Sequence, residues 1–210
     1  MNRPPLSRET IFEAALRIVD AEGVDGLTMR RLAGELEVGT MSLYSHVPNK
    51  DDLLDGLVGT VAGQMALPPA GMPWREAVRY MLMEFRRVCG RHPHVVPLLV
   101  NRPPTSTQGG TLMEAGFELV RRAGVDEKMT ARAYRLVVSY AIGFVSLETA
   151  GFFRATGPAV MSRAAGTEFP RTTEIAPYLV EWDADEEFLP GLDVILDFLS
   201  GHADLEEGKD

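Results

Sequence analysis

Cysteine is almost missing from this 210-residue chain. Cys89 stands alone, so no internal disulfide can form and a reducing, cytoplasmic setting is expected. Long apolar runs are missing too. None approaches the roughly 20 residues that span a bilayer, and residues 1–7 lack the apolar centre of a secretion signal, so neither membrane insertion nor export is expected. Positive charge is in deficit: 21 Lys and Arg face 30 Asp and Glu, a net charge of -9. Such a surface does not wrap nucleic acid indiscriminately, and any contact with it must be local. A Gly-rich phosphate loop, a nucleophile motif and a metal-ligand cluster are also lacking. The chain is therefore not expected to be an enzyme, nor to hold a metal or cofactor. What is present, 45% hydrophobic and 24% charged residues, is the balance of a globular chain that can bury a real core.

The apolar residues recur with helical spacing almost throughout. Ile11, Phe12, Ala15, Ile18 and Val19 form one face of a helix that Ser7 can cap and Gly23 can end. Thr28 can cap a second helix, with Met29, Leu32, Ala33 and Leu36 on its apolar side and Arg30, Arg31 and Glu35 outside. A third, short helix follows in "VGTMSLYSHVP", turning Leu43 and Val47 inward and leaving Thr40, Ser42 and Tyr44 facing water. It must stop near His46, because the residue before Pro48 disfavours the α region. Asn49 then caps a fourth helix, with Asp51 and Asp52 in its positive first turn and Leu53, Leu54, Leu57, Val58, Val61 and Met65 on its stripe. Two short helices joined by a tight turn and packed on a longer one make a helix-turn-helix, whose second short helix can enter a DNA major groove.

The segment "TMRRLAGELEVGTMSLYSHVPNKDDLL" strongly resembles the DNA-binding domain of the TetR family of bacterial transcriptional repressors. The resemblance rests on Thr28, Leu32-Ala33, Leu43-Tyr44-Ser45-His46 and Asn49-Lys50. It implies that Thr28, Ser42, Tyr44, His46 and Lys50 grip phosphate oxygens of a double-stranded DNA operator. Thr40 and Met41 at the start of the third helix, and Arg30 on the second, are placed to read base edges, with the Arg30 fork suited to guanine O6 and N7. At Glu37 the family usually has glycine. A left-handed backbone there costs a glutamate about 1 kcal/mol.

"ALPPAGMPW", residues 66–74, reads as a joint. The expected organisation is a helix-turn-helix domain over 1–48, a connecting helix over 49–66, and a ligand-binding and dimerisation domain over 67–210. In the last part, Trp74, Val78, Met81, Leu82, Phe85 and Val88 mark one helix, another begins around Pro93, and "NRPPTSTQGG" reads as a loop. Leu112, Ala115, Leu119 and Val120 mark a helix that Gly124 ends. A long helix is expected from Asp126 to about Arg154, and a last one in "DEEFLPGLDVILDFLSG". Between them, residues 157–176 lose periodicity around Pro158, Gly166 and Pro170 and read as a mobile surface loop. His92 and His94 read as exposed imidazoles at a helix start, with no third ligand for zinc.

"RHP", the Arg-Pro of the next loop, "RRAGV" and "GLDVILD" extend the resemblance to the tetracycline-repressor type of C-terminal domain. This implies an all-α chain that acts as a homodimer through its eighth and last helices, binds a palindrome, and is released by a small-molecule inducer. Candidate lining residues are Phe85, Met113, Phe117, Tyr134, Tyr140, Phe144 and Glu148, apolar surface with a few polar groups. Glu148 aligns with a carboxylate that assists magnesium in tetracycline repressors, but Leu98 stands where their metal-binding histidine does, so no metal is expected. Activation instead of repression, or control by a protein partner instead of a ligand, are readings the sequence leaves open.

Overall fold

The computed structural model describes residues 5–102, 105–164 and 169–207. Among these residues the chain is all-α, with no strand. It divides into two compact units, Met1–Leu119 and Val120–Asp210.

The first unit opens with α1 (Arg8–Gly26), started by a reciprocal cap in which the Ser7 hydroxyl accepts from the Thr10 amide and the Thr10 hydroxyl accepts from the Ser7 amide. The helix does not stop at Gly23 as expected. It kinks there, at φ 76 and ψ 174, and resumes to Gly26; the left-handed value is one glycine reaches without a Cβ penalty. Then come α2 (Met29–Glu35), α3 (Thr40–Tyr44) and α4 (Lys50–Ala62). Ile11, Ala15, Ile18, Val19, Leu32, Leu43, Val47, Leu53 and Leu57 are buried together in one core beneath these helices. Val88 and Val95 belong to the same core, although they lie beyond the Pro-rich joint, on α5 (Trp74–Arg91) and in the 3-10 turn Pro93–Val95. The joint is fastened where the Ala66 amide donates to Glu84 Oε2 of α5 at 3.2 Å. Next, α6 (Val96–Asn101) and α7 (Thr107–Arg121) follow, so the "NRPPTSTQGG" stretch is helical at both ends, with 103–104 outside the described residues.

In the second unit α8 (Glu127–Thr149) is capped by Asp126, whose carboxylate accepts from the Met129 amide at 2.6 Å. It ends five residues earlier than expected, at a turn where Gly151 has φ 68. The stretch expected to be a mobile loop is instead largely helical: α9 (Phe152–Ala164) and α10 (Pro170–Val180) occupy it, with 165–168 outside the described residues. Proline misled the reading. Pro170 takes the first helical position, where its missing N–H costs nothing, while Pro158 and Pro177 sit within helices. The two helices cross at small residues. A Cβ on buried Gly157 would collide with the Leu179 carbonyl, and Ala176 is the buried residue of α10. Last comes α11 (Ala184–Glu207), whose Phe188, Leu192, Leu196 and Leu199 are buried, as are Ala133, Val137, Ala141 and Val145 of α8.

Candidate nucleic-acid interface

The third helix is two-faced. Leu43 and, just beyond it, Val47 are fully buried in the core, which pins α3 by one side. The other side is open: Met41 is 79% exposed, Tyr44 is 45% exposed, and Thr40 and Ser42 are exposed. An exposed methionine at the start of a helix leaves apolar area in water, which disfavours the free state unless something covers it. His46 is half-buried and Lys50 exposed, the latter at the first position of α4.

The caps leave donors free for an anion. The Thr28 hydroxyl accepts from the Arg31 amide at 3.1 Å, and a hydroxyl that accepts can still donate. The Asn49 side chain accepts from the Asp52 amide at 2.8 Å. The turn between α2 and α3 places Glu37 at φ 48, the left-handed conformation that the sequence required of this glutamate.

The two adjacent arginines of α2 differ. Arg31 bridges Glu22 at 2.9 Å and Glu35 at 3.1 Å, and its guanidinium is held more basic than usual by the hydrogen bond to Glu22, then that to Glu35. Arg30 is exposed and meets no ion-pair partner among the described residues, so its fork remains available.

Two further arginines, not among the candidate site residues, set the geometry. Arg8 donates to the His46 carbonyl at 2.7 Å and to both Asp52 oxygens at 2.9 Å, while its guanidinium lies 5.0 Å from the centre of the Phe12 ring. One side chain thus joins the start of α1, the exit of α3 and the first turn of α4. Arg102 donates to Asp51 and Asp55, each at 2.7 Å, and ties the segment after α6 to the same end of α4. Neither pairing shows in the sequence, since the partners lie 44 to 51 residues apart.

Of the seven candidate ligand residues, Phe85, Met113 and Phe117 lie in the first unit and Tyr134, Tyr140, Phe144 and Glu148 in the second; all seven are half-buried. Within the second unit, Tyr140 stacks on Phe188 at 5.5 Å and Phe144 meets Phe188 at 5.0 Å and Trp182 at 6.4 Å. The Tyr140 hydroxyl donates to the Phe188 carbonyl at 2.7 Å, so it is committed to α11. Burial raises the Tyr134 phenol above its ordinary range. A groove of about 1050 Å3 opens elsewhere in the first unit, between α1, α4 and residues 105–108, and none of the seven lines it. Among the described residues no group of three metal-ligating side chains converges, and no single helix is long and apolar enough to cross a membrane.

Residues 11–57 match the model of the bacterial regulatory proteins of the tetR family, and residues 67–201 match that of the tetracyclin repressor-like C-terminal domain. The chain belongs to the TetR family. It is 32% identical to the HTH-type transcriptional repressor DrrR1 of Streptomyces coeruleorubidus, over 94% of this chain and 78% of that protein. Apo ActR of Streptomyces coelicolor superposes with a TM-score of 0.85 at 30% identity, over 98% of this chain and all of that one. The ActR complex with actinorhodin gives 0.82 at 33%, over 95% and 99%. BioQ bound to its natural double-stranded DNA operator is also similar, at 25% identity and a TM-score of 0.69, over 93% of this chain and 99% of that one.

The chain is therefore a TetR-type DNA-binding repressor with a tetracyclin repressor-like C-terminal domain, from a family of regulators and not of enzymes. Leu98 packs half-buried against the core of the first unit. A helix does start at His92 and Pro93, and His94 is exposed as expected, but His92 is not. His92 is turned inward, its side chain 12% exposed, and both rings have hydrogen-bond partners.

Proposed function

We propose that the open face of α3 enters the major groove of a palindromic operator, once from each subunit of a homodimer. The single observation behind this reading is the exposure of Thr40, Met41, Ser42 and Tyr44 on a helix anchored by Leu43 and Val47. Thr28, Ser42, Tyr44, His46 and Lys50 supply hydroxyl, imidazole and ammonium donors to phosphates, which fix register without reading sequence. Thr40 and Met41 offer a hydroxyl and a methyl-sized apolar contact, and Arg30 brings a fork that can select guanine. In a two-fold dimer the two α3 helices stand about 34 to 36 Å apart, one turn of DNA.

Residues 67–210 supply ligand binding and dimerisation in this reading. The candidate ligand contacts are Phe85, Met113 and Phe117 in the first unit and Tyr134, Tyr140, Phe144 and Glu148 in the second. The Tyr140 hydroxyl donates to the Phe188 carbonyl, so toward a ligand it can only accept. The inducer is an aromatic small molecule, a reading supported by these aromatic side chains and by the ActR complex. It binds best when the two α3 helices are wrongly spaced, and lowers operator affinity by the same coupling free energy. The protein acts in the cytoplasm, on the nucleoid when bound to DNA, and performs no catalysis.

Selection of duplexes from a random DNA library by the purified protein tests the reading. The expected product is a palindrome bound by one dimer and released by an aromatic polyketide such as actinorhodin. Enrichment of a sequence without two-fold symmetry sinks the dimer geometry, and a palindrome indifferent to aromatic ligands sinks the inducer class.

A further inference from the structure

The corner where α5 gives way to α6 is built into the reading head. Val88 and Val95 on either side of it are buried in the core formed by α1 to α4, and the two histidines between them reach back to α1. His94 Nδ1 lies 2.9 Å from the Val19 carbonyl, which can only accept. His92 Nδ1 lies 3.0 and 2.9 Å from the two oxygens of Asp20, and its Nε2 lies 3.1 Å from Gln64 Oε1, just beyond the end of α4. Arg91 Nη2 donates to the same Gln64 oxygen at 3.0 Å. A guanidinium has no acceptor to offer, so that atom is the amide oxygen and not the nitrogen. The His92 ring thus bridges Asp20 on α1 and Gln64 at the end of α4. Asp20 sits three residues before the Gly23 kink that redirects the chain toward α2.

We propose that His92 is a positioning residue for operator binding: it locks α1 to α4 at the end of the reading head remote from α3, and so fixes the orientation in which α3 is presented. Arg8 closes the same helix pair at the other end, through Asp52. With both ends closed, α1 and α4 move as one body. With His92 removed, the pair keeps its shared apolar core and the Arg8 tie but loses the polar tie at this end, and the α3 helices of a dimer hold their spacing less firmly. A contact of this kind modulates coupling between distant parts of a protein by a modest factor, without touching either ligand.

The test uses the full-length dimer and the palindromic duplex that it selects. His92→Leu is expected to raise the operator Kd roughly tenfold, and Asp20→Leu to do the same. The double variant should be no worse than either single one, because both remove one interaction. Gln64 lies past the last residue of α4, so its variants keep the fold. Gln64→Glu retains an acceptor for both donors and should bind as wild type, whereas Gln64→Leu should weaken binding. Hydrogen exchange should quicken in the last turns of α1 and α4 in the weakened variants, a readout independent of DNA. The proposal is overturned if His92→Leu and Gln64→Leu bind within about twofold of wild type, if Gln64→Glu and Gln64→Leu weaken binding equally, or if the Asp20 and His92 effects simply add. Should His92→Leu fail to fold, the Gln64 pair decides.

Discussion

Arg30 and Arg31 are neighbours with different employment. Arg31 is consumed by Glu22 and Glu35, so charge alone could not have told which of the two is free to meet DNA. The helical spacing shows both as solvent-facing; only the structure shows Glu22, nine residues earlier, folding over Arg31. Arg30→Ala should therefore relax preference at one operator position at a cost of about 1 to 3 kcal/mol, measured against single-base variants of the selected duplex. A uniform loss across all variants would reduce Arg30 to a phosphate contact. Lys50→Ala should weaken every duplex alike and lower the slope of log affinity against log salt by about 1. Cys89 behaves differently from either. Burial pushes its thiol up to about 12, from an ordinary 9, so iodoacetamide at pH 8 should label it only after unfolding. The sign for stability follows from the raised value. The folded chain favours the neutral thiol, so this contribution is complete below pH 9 and is lost as pH climbs from 9 to 12.

The caps explain which helices were legible. Ser7, Thr28, Asn49 and Asp126 stand where a side-chain oxygen meets the first free amides, and each announces its helix in the sequence. α9 and α10 carry no such mark. The N-cap of α10 is Phe169, and no side-chain cap bonds it; its packing rests on Gly157 and Ala176 rather than on a broad apolar stripe, so neither cap nor periodicity signals it. The imidazole clamp was illegible for another reason, since Asp20 and His92 lie 72 residues apart. Glu37 was the opposite case: the resemblance implied a left-handed residue there, and φ 48 supplies it. Glu37→Gly should relieve about 1 kcal/mol and raise the melting temperature by roughly 2 to 4 °C. An unchanged or lower melting temperature would show that the contacts of the glutamate side chain offset its backbone strain.

At the level of the whole molecule, the second unit leaves apolar area uncovered on α8 and α11, the two helices that the proposed dimer would use. Val194 is 70% exposed and Phe198 48% exposed on α11, with Leu136 and Leu147 exposed on α8. Buried between two subunits of the proposed dimer, these side chains would supply the apolar core that a stable interface requires. Val194→Glu should yield monomers by sedimentation and abolish tight operator binding, while leaving the helical content intact. A dimer that persists would put the interface on another face.

The glycines of α4 carry a consequence for genetics. A Cβ on Gly59 would come within 2.8 Å of the Ser106 side chain, and one on Gly56 would strike the Phe12 ring. Neither glycine reads DNA, yet alanine at either forces a shift where α4 meets its neighbour, at Gly59 against Ser106 before α7 and at Gly56 against the Phe12 ring of α1. A screen for constitutive expression of the repressed genes should accordingly recover two classes of allele. One destroys the reading face. The other consists of the smallest possible enlargements, Gly to Ala or Ser, scattered along a helix edge that touches neither operator nor inducer.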